Sequence, residues 1–334
     1  MLIALNSSDR MVRYRDAISS PSEIIEFLQW RHRHTTRYLF YTLRSGNVVD
    51  ALWLMPSYVT EGELFTKYLQ RKSTNGYISV DCGGFDLRIL PDDVGIGREL
   101  YFTGCHEPYT TEIYREELQK VYHKTDSPTI LEIGANIGYF VLEALTQCPN
   151  GSVYAIEPLE KNIQLLEENI ELNGYREQVN ITKGAISTRN GQTKIHLSES
   201  SNHASVNNKG DPSRKTQEVE CWTINHFLDM HGIRPRQINA IRLDLEGHES
   251  GLFQAGLDDI LGSVSNPFVL HIEIHPKYIS RESLNEIISV LDEELELVAG
   301  YQHELNGKLL SEIQDLEQVA DLPYVELVLR KERE

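Results

Sequence analysis

The residues best able to do chemistry begin at Glu132, in T-I-L-E-I-G-A-N-I-G-Y-F (Thr129–Phe140). A short apolar run, Ile130 to Ile133, carries this single acid, then breaks at Gly134, passes Asn136 and reaches Gly138. The apolar stretch Tyr139–Leu145 follows, interrupted only by Glu143. Strand, glycine turn and helix in this order form the nucleotide-binding corner of an open α/β sheet. Nineteen residues beyond Gly138, a second apolar run, Val153–Ile156, ends in Glu157. An acid at the tip of the next strand can accept from the two hydroxyls of a ribose. The ligand is therefore expected to contain adenosine.

Which adenosine compound binds depends on what the loop lacks. A dinucleotide needs G-x-G-x-x-G so that its pyrophosphate meets bare backbone at a helix N-terminus. Asn136 stands where the middle glycine would be, and Glu132 brings a negative charge towards the phosphates. A cofactor without phosphate and with positive charge removes both objections. S-adenosylmethionine carries a sulfonium, an ammonium and a carboxylate. Glu132 favours the cationic groups and the helix N-terminus can take the carboxylate.

A second constellation lies further along the chain. In A-I-R-L-D-L-E-G-H-E (Ala240–Glu249), Ile241, Leu243 and Leu245 fall on one face of a strand and Arg242, Asp244 and Glu246 on the other, with His248 just beyond. In Phe268–His275, Leu270, Ile272 and Ile274 share a face, opposite His271, Glu273 and His275. Strands covered on both faces are nearly all apolar, so this alternation is informative. If the two strands are neighbours, acids and imidazoles converge at their carboxyl ends, where open α/β sheets bind ligands. Asp244 is assigned to the cofactor and substrate. Asp244, Glu246, His248 and His275 are the candidate catalytic groups, with Glu246 or His248 favoured as general base. Taken singly, His271 reads as a core histidine and Glu249 as an acid favouring a helix N-terminus. The same groups suit a divalent ion, but no metal is assigned.

Taken together, the runs E-I-G-A-N-I-G-Y-F, Y-A-I-E-P at Tyr154–Pro158, N-I-E-L-N-G at Asn169–Gly174 and R-L-D-L-E-G-H-E at Arg242–Glu249 resemble the FkbM family of S-adenosylmethionine-dependent methyltransferases. The resemblance spans roughly Gly95 to Pro276, and D-V-G-I-G-R-E-L-Y-F-T-G-C-H-E-P-Y at Asp93–Tyr109 resembles the lead-in to the family's glycine loop. It implies a class I methyltransferase (Rossmann-like) fold, a mostly parallel sheet closed by a C-terminal antiparallel hairpin. It also implies methyl transfer to a hydroxyl oxygen of a sugar, glycolipid or related small molecule. Glu132, Gly134, Asn136, Gly138, Glu157 and Asp244 are the cofactor residues, and Ala185, in K-G-A-I-S, matches the family position near the adenine. Two other classes compete: a nicotinamide-dependent oxidoreductase or epimerase, against which Asn136 counts, and a non-catalytic methyltransferase-like scaffold, against which the intact motif counts.

The elements that must position these residues follow from periodicity. Residues 126–334 alternate strand and helix and form the cofactor-binding domain. Glu160–Leu172 has Ile163, Leu166 and Ile170 at helical spacing and stops at Asn173-Gly174. Val179–Ala185 reads as the third strand, Gln192–Leu197 as a short extra one, Ser198–Lys215 as a polar loop suited to a lid, and Cys221–Met230 as a helix. Ala240–Leu245 and Phe268–His275 are the next strands. A helix follows from about Arg281, and then the closing strands Leu295–Tyr301 and Tyr324–Arg330. Residues 76–125 form a β-containing lead-in, with a hairpin in Tyr77–Leu90 around Gly83-Gly84. Residues 1–75 form a mainly helical N-terminal extension, giving an N-terminal α/β addition to the fold. Ser20-Pro21-Ser22-Glu23 is a capping box there.

Composition sets outer bounds. The chain has 334 residues, 40% hydrophobic and 25% charged, ordinary for a globular protein. A net charge of −18 argues against nonspecific nucleic-acid binding. Residues 1–48 hold seven basic and four acidic side chains, so +3, and the remainder carries −21. The basic run Trp30–Arg37 is read as a solvated helix end or an intramolecular contact. Cys82, Cys105, Cys148 and Cys221 are far apart, as in reduced structural thiols. No apolar run reaches the roughly 20 residues of a membrane span, and M-L-I-A-L-N-S-S-D does not read as a signal peptide. A cytoplasmic protein is expected, with a small-molecule or glycan hydroxyl acceptor, and a homo-oligomer is allowed.

Overall fold

The computed structural model describes residues 63–93, 95–197, 215–245, 247–303 and 309–331. The chain divides into two compact units, Met1–Lys72 and Ser73–Glu334. In the first unit the described element is helix α1 (Glu63–Lys72), whose last turn carries Arg71 and Lys72, where cations suit the helix dipole. The capping box at Ser20 and the basic run at Trp30 lie outside the described residues, as does nearly all of Ser198–Lys215.

The second unit opens with an antiparallel hairpin, β1 (Ile78–Asp81) and β2 (Asp86–Ile89), turning at Gly83. Helices α2 (Ile96–Thr103) and α3 (Pro108–Lys124) follow. Then come β3 (Thr129–Ile133), α4 (Tyr139–Gln147), β4 (Ser152–Glu157), α5 (Glu160–Leu172) and β5 (Val179–Lys183). Short strands β6 (Ala185–Ile186), β7 (Gly191–His196) and β8 (Thr216–Trp222) form a separate three-stranded sheet in the order β6-β8-β7. The chain returns through α6 (Ile224–His231) to β9 (Ile238–Leu243). A broken helix, α7 (Glu249–Leu252) and α8 (Asp258–Ser263) joined by a π-turn, leads to β10 (Phe268–Ile274). Helix α9 (Arg281–Glu294) precedes β11 (Glu296–His303), β12 (Leu309–Glu312) and β13 (Val325–Lys331).

The main sheet runs β12-β11-β13-β10-β9-β3-β4-β5. Strands β5, β4, β3, β9 and β10 are parallel; β13 is antiparallel to β10, and β11 to β13. This is the expected class I methyltransferase sheet with its closing antiparallel strands, extended by edge strand β12. The chain leaves β3 towards β4 and comes back on its other side at β9. The β3/β9 boundary is thus the topological switch point, where such sheets bind ligands.

The two faces differ. Leu131, Ile241, Leu243, Leu270 and Ile272 pack with Phe227 of α6 and Leu284, Ile287 and Leu291 of α9 in one apolar cluster. The opposite face is crossed by a polar row: register aligns Glu132 with Arg242 and Arg242 with His271. One step towards the carboxyl ends, Glu273 of β10 lies opposite Glu326 of β13. Helix α3 covers this face, and its Tyr114 ring lies 5.0 Å from that of His271.

Four elements differ from the sequence pattern. Val179–Ala185 is not one strand: Gly184, at φ 159°, breaks it, and Ala185 pairs instead with Cys221 in the small sheet. Cys221 and Trp222 end strand β8 rather than opening a helix, because alternation within Thr216–Trp222 pairs it with β7. The helix starts at Ile224, capped by the Thr223 hydroxyl. Strand β12 and the broken helix before β10 carry little periodicity of their own. Among the described residues, no helix is long and apolar enough to cross a membrane. All four cysteines are free.

Candidate active site

The glycine turn is built by backbone that side chains cannot easily adopt. Gly134 has φ 91° and Gly138 has φ 94°, and a Cβ at Gly134 would lie 2.3 Å from the Asp244 carbonyl oxygen. That approach joins the two motifs physically, because Asp244 N donates to Ile133 O at 3.2 Å. Asn136 takes a left-handed φ of 49°, which asparagine tolerates better than most residues. The backbone N–H groups of Gly134 and Ala135 both donate to Ile156 O at 3.0 Å.

Glu157 fastens this turn to the next strand. Its Oε2 accepts from Asn136 N at 2.9 Å, and its Oε1 from Leu159 N at 2.9 Å and Asn162 Nδ2 at 3.2 Å. Burial pushes its carboxyl up to about 7, opposed by these hydrogen bonds. Gly184 N donates to Glu157 O at 3.1 Å, so Ala185 starts β6 one residue from this acid. The side-chain oxygen of Asn136 is buried without a partner, an acceptor available to a donor from a ligand.

Glu132 does not stand open to a ligand. It is fully buried, and Arg242 Nη1 donates to its Oε1 at 3.1 Å. Arg242 Nη2 donates to Asp244 Oδ2 at 3.4 Å and lies 3.8 Å from Glu107 Oε2. The guanidinium also stacks 3.7 Å from the Phe140 ring centroid. Burial pushes the Glu132 carboxyl up to about 7 against the pull of Arg242, while Glu132, Asp244 and Glu107 hold Arg242 above its ordinary range. Any influence of Glu132 on a ligand therefore passes through Arg242 and Asp244.

At the carboxyl ends of β9 and β10, His275 Nδ1 lies 3.0 Å from Glu249 Oε1, which also accepts from Gly247 N at 2.8 Å. His275 Nε2 lies 3.4 Å from Glu273 Oε1. His248 is the N-cap of α7. Burial lowers its pKa, which keeps the imidazole neutral, and its Nε2 is buried without a hydrogen bond. Glu246 lies outside the described residues.

The structure thus brings Gly134 to Asp244, Asn136 to Glu157, Glu157 to the strand carrying Ala185, and Glu249 to His275. His271 is not at this edge. It lies deeper in the polar row, beside Arg242. Sequence reasoning overlooked Arg242 as a linker, Glu249 as the partner of His275, and the acids Glu107 and Glu326. The signal for Arg242 and Glu326 was a charged residue inside an apolar strand; for Glu107 there was none.

Methyltransferase 1 of Beauveria bassiana (strain ARSEF 2860) is 24% identical over 165 residues, covering 44% of this chain and 66% of that relative's length, just under two thirds. Among solved structures, the chain is similar to the O-methyltransferase from Bacillus cereus in complex with SAH, at 12% identity and TM-score 0.39, over 66% of this chain and 81% of that one. It is also similar to an rRNA methylase from Streptococcus thermophilus, at 14% identity and TM-score 0.38, over 66% of this chain and 95% of that one. The model of the methyltransferase FkbM domain matches residues 132–302, just over half of the chain, from the buried acid of β3 to β11 beyond the His275 edge. By that match the chain belongs to the FkbM methyltransferase family.

Proposed function

We propose that this chain is an S-adenosylmethionine-dependent O-methyltransferase whose acceptor is a hydroxyl of a sugar, glycolipid or related small molecule. The observation that carries the reading is the pair of imidazoles at the switch-point edge: His275 held by Glu249, and His248 kept neutral by burial. His248 follows β9, the neighbour of β3, and His275 follows β10, one strand further along the sheet.

The turn fits the cofactor. Glu157 can take the ribose hydroxyls, Asn136 Oδ1 is an orphaned acceptor, and the close packing of Gly134 on the Asp244 backbone holds the turn in place. When bound, the cofactor would supply an electrophilic methyl group to the acceptor oxygen, with the thioether as leaving group. The chain's own residues do the rest. Positioning the hydroxyl in line can supply roughly 7–11 kcal/mol of the barrier. A general base that takes the hydroxyl proton adds about 10²–10⁴-fold. His248 Nε2 suits that task because it is neutral and makes no hydrogen bond among the described residues. Glu249 fixes the orientation of His275, and Asp244, tethered to Arg242, sets the negative charge beside the turn.

The test is calorimetric titration with S-adenosylhomocysteine, with NAD as control. Micromolar binding of the former alone is expected, followed by methyl transfer from labelled cofactor to a glycan or small hydroxyl acceptor. Binding of NAD instead, or of neither, overturns the reading.

A further inference from the structure

Beneath the proposed acceptor edge, three side chains from three elements point to one spot. Glu107 caps the start of α3, His271 stands in the middle of β10, and Glu326 stands in β13. One ligand atom from each lies within 4.8 Å of the other two. His271 is 1% exposed. Its Nε2 faces Glu326 Oε2 at 3.8 Å, too long for a hydrogen bond, and its Nδ1 has no partner. An imidazole this buried with neither nitrogen hydrogen-bonded among the described residues is an unmet demand. Glu107 Oε2 is likewise buried without a hydrogen bond. Glu326 is oriented by Thr110, whose hydroxyl donates to its Oε2.

Charge points the same way. Around this spot stand the carboxylates of Glu99, Glu107, Glu132, Asp244 and Glu326. Facing them are Arg242, and His106 with its ring nitrogens 2.7 Å from Glu99 and 3.0 Å from Glu107. Among the described residues, acids outnumber bases around this spot. A buried surplus is costly unless a cation shares the space.

We propose that Glu107, His271 and Glu326 form a buried site for one divalent transition-metal ion. One imidazole with two carboxylates is a donor set for manganese, iron, cobalt or zinc rather than magnesium, which keeps several waters. Ligand bonds of about 2.0–2.2 Å set three donors roughly 3–4 Å from one another, a spacing that His271 Nε2 and Glu326 Oε2 already have at 3.8 Å. Thr110 supplies the outer hydrogen bond that ligating carboxylates commonly have. The ion would tie the start of α3 to β10 and β13. Arg242 tolerates it because Glu132 and Asp244 already balance the guanidinium.

The test uses the full chain, stripped with a chelator and titrated with Mn²⁺, read by electron paramagnetic resonance. One bound ion per chain is expected, with coupling to a single imidazole nitrogen in spin-echo spectra and displacement by Zn²⁺. His271→Gln and Glu326→Gln are each expected to weaken binding at least tenfold. Circular dichroism of the metal-free variants separates lost ligation from lost folding. If His271→Gln does not fold, the wild-type imidazole coupling and Glu326→Gln decide. Absence of binding at millimolar Mn²⁺, a spectrum without imidazole coupling, or affinity unchanged by the variants overturns the site. Titration of the same sample with S-adenosylhomocysteine tests the methyltransferase reading separately.

Discussion

Glu249 and His275 meet across 26 residues of sequence, with Oε1 of the acid 3.0 Å from Nδ1 of the ring. The same oxygen accepts from Gly247 N at 2.8 Å. One carboxylate therefore sets both the turn that follows β9 and the imidazole at the end of β10. Both groups are buried, so water cannot replace either contact at low cost. Glu249 acts through His275 and is a positioning residue in the proposed reaction.

Replacing this acid tests that relationship. Glu249→Gln is expected to lower kcat by about 10–100-fold with little change in S-adenosylhomocysteine affinity, on the scale of losing one hydrogen bond to a charged group. Nitrogen-15 spectra of the His275 ring should show the Nδ1 proton signal shifted or lost. A kcat deficit with an unaltered ring spectrum would reduce Glu249 to a structural role.

Glu157 gives a pH dependence of two opposite signs. Its native carboxyl is pushed up to about 7 from an ordinary 4.5. The native state then binds the proton more tightly than the unfolded chain. Its stabilising contribution is full below about 4.5 and is lost as pH rises through 7, by at most about 3 kcal/mol. Affinity for S-adenosylhomocysteine should move the other way, because the ionised acid is the stronger acceptor for ribose hydroxyls. Calorimetry from pH 6 to 8 should show tightening of several-fold, absent in Glu157→Gln. Equal slopes in both proteins would place the ribose elsewhere.

Most of this frame is legible in sequence because the parallel strands write themselves in apolar runs. The β3–turn–α4 corner, α5 and the pair β9 and β10 all appear where periodicity and glycines put them. Glu132 is legible as an unusual acid, but its partner is not. Only register across two parallel strands brings Arg242 beside it, and register is a tertiary property. Strand β8 was hidden because Cys221–Met230 also fits helical spacing, and pairing with β7 decided the contest. Glu107 gives no local signal at all, since it owes its place to the packing of α3.

The bare backbone at Gly134 is the site's least replaceable feature. Gly134→Ala puts a Cβ 2.3 Å from the Asp244 carbonyl at a φ of 91°. The left-handed conformation alone costs about 1–2 kcal/mol, and the clash must displace β9 or the turn. A loss of at least about 2 kcal/mol in urea unfolding is expected, together with weakened cofactor binding. A variant with native stability would show that the turn relaxes freely.

Arg242 tests whether the polar row is a structural liability held for function. It is 4% exposed, and Glu132, Asp244 and Glu107 all face it. Arg242→Met leaves the Glu132 carboxylate buried without its cation, and breaking one partner of a buried pair costs about 3–5 kcal/mol. Adding Glu132→Leu removes the stranded charge, so the double variant should recover part of that loss in urea unfolding. Its affinity for S-adenosylhomocysteine should stay low, since Asp244 has lost its tether. Recovery of both stability and affinity would show that the row serves neither cofactor nor acceptor, and that an apolar sheet face would have served the fold as well.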